Sequence, residues 1–162
     1  MCRRKQSKNG FSLVELVIVV VIIAIIGAIA IPRLSRGAAG AADSSLVGDL
    51  AVLRNAIDLY AVEHNNVFPA GATFENQLTL FSNDAGATNA TKTSVFKYGP
   101  YIRKIPPLPV GTNKGETGIA VDGTDTLGDA GFGWFYNATS GSITANLADG
   151  EQDESNVDYN DF

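Results

Sequence analysis

The hydrophobic pattern of this chain is dominated by an apolar run near its start, at residues 11–31 ("FSLVELVIVVVIIAIIGAIAI"). As an α-helix this run would be roughly 31 Å long, which is enough to cross the hydrocarbon core of a bilayer. Valine and isoleucine are weak helix formers in water, but in lipid every backbone polar group must be bonded within its own segment. The pattern therefore predicts a membrane-spanning helix, and it leaves one acidic residue, Glu15, inside that helix.

A second helical pattern follows a glycine- and alanine-rich stretch at residues 37–42. Apolar residues recur there at spacings of three and four, which defines one stripe along a helix: Leu46, Leu50, Leu53, Ile57 and Tyr60. Asp43, Ser44 and Ser45 are candidate N-caps for this pattern, and "HNNVFPAG" at 64–71 contains the residues that end helices. We expect the stripe to pack against the chain's own sheet.

Alternating apolar and polar residues predict a hairpin at residues 132–147 ("FGWFYNATSGSITANL") with its turn at 138–141. The residues expected on one face are Phe132, Trp134 and Tyr136, and on the returning strand Ile143, Ala145 and Leu147. Ile119–Val121 is a further strand candidate. Together these patterns predict an α+β fold, in which a long N-terminal α-helix packs on a small antiparallel β-sheet. Core packing is the expected role of Trp134.

Charge is distributed unevenly along the chain, whose formal net charge is −5. Basic residues precede the apolar run (Arg3, Arg4, Lys5 and Lys8), which favours a cytoplasmic N-terminus and an exported C-terminal part. The acidic segment 149–162 contains no basic residue. Such a surface repels a nucleic-acid backbone over most of its area, so we expect no nucleic-acid partner.

Side chains with reactive chemistry are sparse. The single cysteine, Cys2, precedes the apolar run, which argues against a lipoprotein anchor or a metal site there. The single histidine, His64, is expected to be a partly exposed cap or packing residue. One histidine and scattered serines do not form a nucleophile–base pair, so the sequence does not predict an enzyme.

The apolar run has two ordinary interpretations, a permanent membrane helix or a secretory signal peptide. Ala28-Ile29-Ala30 fits a signal peptide cut after Ala30, which would leave a secreted soluble binding protein. Glu15 argues against that interpretation, because a carboxylate costs up to about 2.5–3.5 kcal/mol toward the bilayer centre and usually has a partner there. It lies one helical turn after Phe11, so an amino terminus created by cutting the Gly10–Phe11 bond would be well placed to neutralise it.

Residues 8–32 ("KNGFSLVELVIVVVIIAIIGAIAIP") resemble the N-terminus of type IV pilins and type II secretion pseudopilins. The resemblance implies that a prepilin peptidase removes a basic leader after Gly10 and that Phe11 becomes an N-methylated terminus. It implies that Glu15 pairs with the amino terminus of a neighbouring subunit and so sets axial register during assembly. It also implies a helix kink at Pro32 and a pilin-like version of the α+β fold.

The organisation implied by this resemblance has five segments. They are a leader at 1–10, a transmembrane and filament-core helix at 11–31, an exported amphipathic helix half at 32–68, a β-rich domain at 69–148 and an acidic tail at 149–162. The protein would be a structural subunit, anchored in the bacterial inner membrane and later part of a periplasmic or cell-surface filament. Its implied partners are copies of itself, prepilin peptidase, an inner-membrane assembly platform, minor pilins or pseudopilins, and lipid. A DNA-binding minor pilin is an alternative that would need an exposed basic patch.

Residues 97–111 ("KYGPYIRKIPPLPVG") resemble a loop of the major type II pseudopilins, with Leu108-Pro109-Val110 where that family usually has aspartate, proline and tryptophan. Those pseudopilins hold calcium in their C-terminal loops, so the resemblance makes calcium a possible ligand, although no cofactor is required. Candidate oxygen donors fall in a loop and in the tail: Asp122, Asp125 and Asp129, then Asp149, Glu151, Asp153 and Asp158. A solvated acidic surface or a disordered tail is the alternative interpretation.

Overall fold

The computed structural model describes residues 12–153 and 155–162, with the backbone alone at residues 31–36. The chain divides into two compact units between Ala38 and Ala39. Helix α1 (Leu13–Glu63) contributes residues to both units. Helical assignment continues through position 32 without interruption, and the kink expected at Pro32 stays a prediction.

The second unit contains the remaining helix and the strands. After α1 come a 3₁₀ turn (Gly71–Thr73) and a short helix, α2 (Phe74–Thr79). Strand β1 (Phe81–Ser82) pairs antiparallel with β2 (Thr88–Asn89). Strands β3 (Ile119–Val121), β4 (Trp134–Tyr136) and β5 (Ile143–Ala145) form a second sheet in that order. A 3₁₀ turn (Tyr159–Asp161) lies near the end of the described chain.

The predicted α+β fold is confirmed, because the apolar stripe on α1 packs against the second sheet. All five stripe residues are at most 2% exposed. They share one core with apolar residues of the hairpin: Trp134, Tyr136, Ile143, Ala145 and Leu147. Trp134 is a core residue as expected, and its Nε1–H donates to the carbonyl oxygen of Pro106 at 2.9 Å.

The hairpin of β4 and β5 is also confirmed, and its turn is organised by Asn137. The side-chain Oδ1 of Asn137 accepts hydrogen bonds from the backbone N–H groups of Thr139 and Ser140, each at 2.9 Å. Gly141 closes the turn with φ of 75°, a conformation that favours glycine. A Cβ atom at Gly141 would also lie 2.5 Å from the ring of Phe68, so both the backbone and the packing require glycine here.

The direction of β3 differs from the prediction. Strand β3 pairs parallel with β4, so the sheet is mixed, whereas β4 and β5 are antiparallel as expected. A parallel pair requires a connection of about a dozen residues, and residues 122–133 provide it. The sequence pattern identified the strand but carried no signal for its direction, because side-chain alternation is the same in both arrangements.

The predicted N-caps at Asp43, Ser44 and Ser45 are wrong, because α1 passes through them without a break. The hydroxyl of Ser44 instead donates to the carbonyl oxygen of Gly40 at 2.8 Å, one turn earlier in the same helix. The end of α1 agrees with the stop signals. Asn65 and Asn66 adopt φ values of 55° and 64°, a left-handed conformation that asparagine tolerates better than most residues.

Candidate assembly segment

The apolar first part of α1 is the candidate functional surface, because none of the described residues covers it. Leu13–Ala30 is an 18-residue stretch with a mean hydropathy of 3.2, and 0% of it is buried. Apolar side chains on every side of a helix are typical of a segment surrounded by lipid or by other helices. Length and composition allow this helix to cross a membrane, although a signal sequence meets the same two criteria.

Glu15 is the charged residue of this stretch, and it lies in the first turn of α1. Its Oε2 accepts a hydrogen bond from the backbone N–H of Ser12 at 2.9 Å. Ser12 directly precedes the helix, so the two residues have the Ser-x-x-Glu spacing of a capping box. A negative charge at this end of a helix also interacts favourably with the helix dipole. Glu15 therefore has a partner within its own chain.

Sequence reasoning sought a positive group for Glu15 and missed this backbone partner. The Ser-x-x-Glu spacing was the available signal, because an N–H in the first turn of a helix has no carbonyl partner inside the helix. A carboxylate has about four acceptor positions, so one backbone hydrogen bond leaves room for a further donor. The capping contact is thus compatible with a second partner from another molecule.

Two of the predicted site residues, Gly10 and Phe11, lie outside the described residues. Pro32 lies in α1, where only the backbone is described, and that backbone is helical. The predictions of cleavage, N-methylation and a kink therefore stay predictions. Of the residues implicated in assembly, the structure gives contacts for Glu15.

A comparison with protein families bears directly on this segment. Residues 5–31 match the family model described as "Prokaryotic N-terminal methylation motif". The chain carries a prepilin-type N-terminal motif. This match supports a type IV pilin-like or pseudopilin-like precursor, and the apolar N-terminal helix is consistent with a membrane anchor. Proteins with pilin-type motifs are structural rather than enzymatic. Neither a curated protein nor a solved structure matches the chain significantly.

The acidic residues of the 122–129 loop all accept hydrogen bonds from other groups of the second unit. Asp122 accepts a hydrogen bond from the side-chain amide of Asn137. Asp125 Oδ2 accepts one from the backbone N–H of Val121 at 2.8 Å, and Asp129 Oδ2 accepts one from the N–H three residues before it at 2.9 Å. The carboxylates of Asp125 and Asp129 thus hold their own turns, whereas that of Asp122 connects the loop to the residue that follows β4.

Among the acidic residues of the tail, Glu151 connects it to the rest of the second unit, whereas Asp149 and Asp153 bond within the tail. The carboxylate of Glu151 accepts hydrogen bonds from the backbone N–H and the hydroxyl of Thr112, each at 2.8 Å. Asp153 accepts bonds from two backbone N–H groups in its own turn, at 2.7 and 2.9 Å. Asp149 Oδ1 accepts one from Asn160 Nδ2 at 2.9 Å. The described part of the tail is therefore folded onto the domain.

Two oxygen atoms in the tail are buried and have no hydrogen-bond partner among the described residues: Asp158 Oδ1 and Asn160 Oδ1. Such atoms are the kind of donor that a calcium ion would use. The described residues contain no group of three or more His, Cys, Asp or Glu side chains arranged to hold a metal. A calcium site formed from them would therefore need amide or carbonyl oxygens in addition to carboxylates.

Proposed function

We propose that this chain is a structural subunit of a type IV pilus-like or type II secretion pseudopilus filament, made as a single-pass precursor with a cytoplasmic N-terminus. One coincidence carries the proposal. The methylation motif at residues 5–31 overlaps the exposed apolar stretch Leu13–Ala30 of α1, and this stretch contains one carboxylate, that of Glu15. Lipid would cover this helix before assembly, and like helices of other subunits would cover it in the filament.

Processing would give Glu15 its intermolecular partner. Prepilin peptidase would hydrolyse the Gly10–Phe11 bond, and the new amino group of Phe11 would then be methylated while remaining positively charged. In the filament this amine would pair with Glu15 of a neighbouring subunit, and the pair would fix the axial position of one helix against the next. The hydrogen bond from Ser12 supports this role, because it holds the carboxylate at the helix start and leaves acceptor positions free.

The proposed partners follow from this sequence of events. The N-terminal segment or the assembled subunit would contact each of these partners: prepilin peptidase, an inner-membrane assembly platform, lipid, minor pilins or pseudopilins, and copies of the chain itself. The exported domain would be a rigid outer part of the filament, held by the core between α1 and the sheet. A surface pilus and a periplasmic pseudopilus both fit this description.

The N-terminus of the mature protein tests the proposal most directly. Intact-mass and peptide mass spectrometry of the membrane fraction is expected to find a chain beginning at a methylated Phe11. A chain that begins at Ile31 would instead identify a secreted protein with a signal peptide, and it would overturn the filament proposal. Gly10→Ala is expected to leave the leader attached. Asn9→Ala is the matched control and is expected to be cleaved like the wild type.

A DNA-binding minor pilin is the alternative within the same class of proteins. Two exported cations are already engaged: Lys97 Nζ lies 3.1 Å from Asp84, and Arg54 donates to the carbonyl oxygens of Ile143 and Phe162. We therefore expect no gel shift with duplex or single-stranded DNA at physiological salt. Tight binding with a steep salt dependence would favour the alternative.

We also propose that the tail binds calcium through oxygens of Asp149, Asp158 and Asn160. The support is the pair of buried oxygen atoms without hydrogen-bond partners, together with the preference of calcium for six to eight oxygen donors. Bound calcium would neutralise part of the acidic tail and hold it on the domain. Asp149, Glu151 and Asp153 all accept hydrogen bonds, but the partner of Asp149 is Asn160, whose own side-chain oxygen is one of the two atoms without a partner.

A further inference from the structure

From residue 85 onward, basic and acidic residues occupy different stretches of the chain. Residues 85–115 contain no Asp or Glu, and their basic residues are Lys92, Lys97, Arg103, Lys104 and Lys114. Residues 116–162 contain no Lys or Arg, and their acidic residues are Glu116, Asp122, Asp125, Asp129, Asp149, Glu151, Asp153, Glu154, Asp158 and Asp161. The fold determines whether these two stretches also lie apart on the surface.

Arg103 and Lys104 lie near the end of α1. They closely follow Tyr101, whose hydroxyl donates to Glu63, the last residue of α1, at 2.6 Å. Both side chains are exposed, and within the described residues neither forms an ion pair or a hydrogen bond. These two cations are therefore available to a negative group from another molecule.

Lys92 and Lys97 add positive charge next to β1. Lys92 Nζ lies 5.9 Å from the ring centroid of Phe81 in β1, and Lys97 Nζ lies 3.1 Å from a carboxylate oxygen of Asp84. We refer to the surface formed by Lys92, Lys97, Arg103 and Lys104 as the basic end. The carboxylates of Glu63 and Asp84 also lie there, but each is engaged, by Tyr101 and by Lys97 respectively.

The single histidine, His64, connects β1 to this end of α1. It directly follows the last residue of α1, and its Nε2 lies 3.2 Å from the hydroxyl of Ser82 in β1. Its expected role in packing is retained, but its expected partial exposure is wrong, because it is only 4% exposed. His64 therefore packs inside the basic end and is not part of its surface.

The acidic tail lies beside an earlier part of α1. The Tyr159 hydroxyl donates to Asp43 Oδ1 at 2.8 Å, and Arg54 donates to the carbonyl oxygen of Phe162. Asp43 precedes Glu63 by twenty positions in α1, which corresponds to roughly 30 Å along the helix axis. The second unit is thus basic near the end of α1 and acidic near Asp43.

Opposite charges on two different surfaces of one molecule favour one kind of contact between copies. The basic end repels a second basic end, and the acidic tail repels a second tail, so a symmetric contact through either surface is disfavoured. Contact between the basic end of one copy and the tail of the next brings unlike charges together. Such a head-to-tail contact uses two different surfaces and can continue from copy to copy as an open helical filament.

We propose that the basic end of one copy of this chain docks on the acidic tail of the next copy. Arg103 and Lys104 take tail carboxylates as partners. Asp161 is available to them, because it is exposed and its carboxylate accepts no hydrogen bond within the described residues. The inference rests on the proposed filament function, to which it adds a contact between domains outside the helical core. A nucleic acid also matches a basic surface, but the acidic tail repels it, whereas a second copy supplies the complementary charge itself.

A matched pair of charge reversals tests the contact in the full chain. Lys104→Glu reverses a charge at the basic end. Lys114→Glu makes the same change in net charge near the tail, because the turn of this exposed lysine is bonded to Glu151 through Thr112 at 2.8 Å. The yield of sheared filaments is expected to fall about fivefold in Lys104→Glu and to stay at the wild-type level in Lys114→Glu. Equal yields from the two variants overturn the proposal.

A rescue variant separates the contact from local damage at Lys104. Asp161→Lys alone is expected to lower the filament yield as Lys104→Glu does, because it places like charges opposite each other. The chain that carries both substitutions pairs unlike charges again and is expected to regain most of the wild-type yield. A double variant that assembles no better than the two single variants overturns the contact.

Sedimentation of the full chain in a non-ionic detergent keeps the contact testable if no filaments form. Exposed charges are screened by salt, so association is expected at about 50 mM NaCl and its loss at about 500 mM NaCl. Its loss at low salt in Lys104→Glu, but not in Lys114→Glu, supports the contact even if the mature N-terminus refutes the filament proposal. In that case, a chain that does not associate, or whose association ignores salt and both substitutions, overturns it. A gel shift with DNA that Lys104→Glu abolishes would assign the basic end to a nucleic acid and would also overturn it.

Discussion

The two halves of α1 are continuous in backbone but opposite in how they use apolar side chains. In the first half, Leu16 is 59% exposed, and apolar residues lie on every side of the helix. In the second half, Leu53 is 0% exposed, and the buried residues form one stripe. The second half therefore stabilises the chain's own domain, whereas the first half gains stability only when lipid or other helices cover it.

The role of the first half in assembly is tested by removing its one carboxylate, that of Glu15. Glu15→Ala is expected to lower filament yield about tenfold, a change of about 1.4 kcal/mol in assembly free energy, because the register contact is lost. Leader cleavage and membrane insertion are expected to continue, since the apolar surface is unchanged. Sheared-filament yield and membrane-fraction immunoblots measure the two effects separately.

Glu15→Gln separates the capping contact from the proposed register contact. Its amide oxygen can still accept the hydrogen bond from Ser12, but it carries no charge to pair with an amine. We expect Glu15→Gln to assemble as poorly as Glu15→Ala. Wild-type filament yield from Glu15→Gln would mean that Glu15 serves the helix start alone.

A matched pair of leucine substitutions tests whether the two halves of α1 differ in their contribution to the stability of the domain. Leu53→Ala removes a fully buried side chain and is expected to lower the free energy of unfolding by about 2–5 kcal/mol. Leu16→Ala removes an exposed one and is expected to change it by less than about 0.5 kcal/mol. Urea unfolding of the full chain in detergent, followed by Trp134 fluorescence, measures both. Equal effects would show that the first half also stabilises the domain.

The parts of the fold that the sequence predicts well are those with a strong periodic signal. The apolar run, the stripe on α1 and the β4–β5 hairpin each repeat with the period of their own structure. The failed predictions concern features without such a period. Strand β3 could not be oriented from its alternation, and the caps at 43–45 were inferred from residue types that also occur inside helices.

Asn146 is a further feature that sequence reasoning did not find. It is 0% exposed, and its side chain accepts from the backbone N–H of Gly128 and donates to the carbonyl oxygens of Asp129 and Phe132. A buried asparagine has no distinctive spacing, because its partners are backbone groups brought together by folding. The methylation motif, in contrast, could be recognised early, because its residues act close together in sequence.

The change in stability on adding calcium shows whether the tail, like the core around α1, contributes to the stability of the domain. If calcium binds the folded domain alone, excess calcium at about 100 times its Kd is expected to add about 2.7 kcal/mol of stability, which EGTA would remove. Asp158→Asn is expected to weaken this effect, and Asp122→Asn is the control from the other candidate loop. A Tm that does not respond to calcium would contradict the proposal, and a loss confined to Asp122→Asn would place the site in that loop.

A buried hydroxyl, that of Tyr136, lies in the core that covers the second half of α1. The Tyr136 hydroxyl donates to the carbonyl oxygen of Pro69 at 2.9 Å, and burial raises the pKa of Tyr136 above its ordinary value. The folded chain therefore retains a proton that the unfolded chain loses, so this contribution is present below about pH 10 and decreases as the pH rises further. Tyr136→Phe is expected to cost about 1 kcal/mol at neutral pH and to flatten the alkaline loss of stability. Urea midpoints at neutral and alkaline pH measure both effects, and an unchanged alkaline slope would exclude Tyr136 as its source.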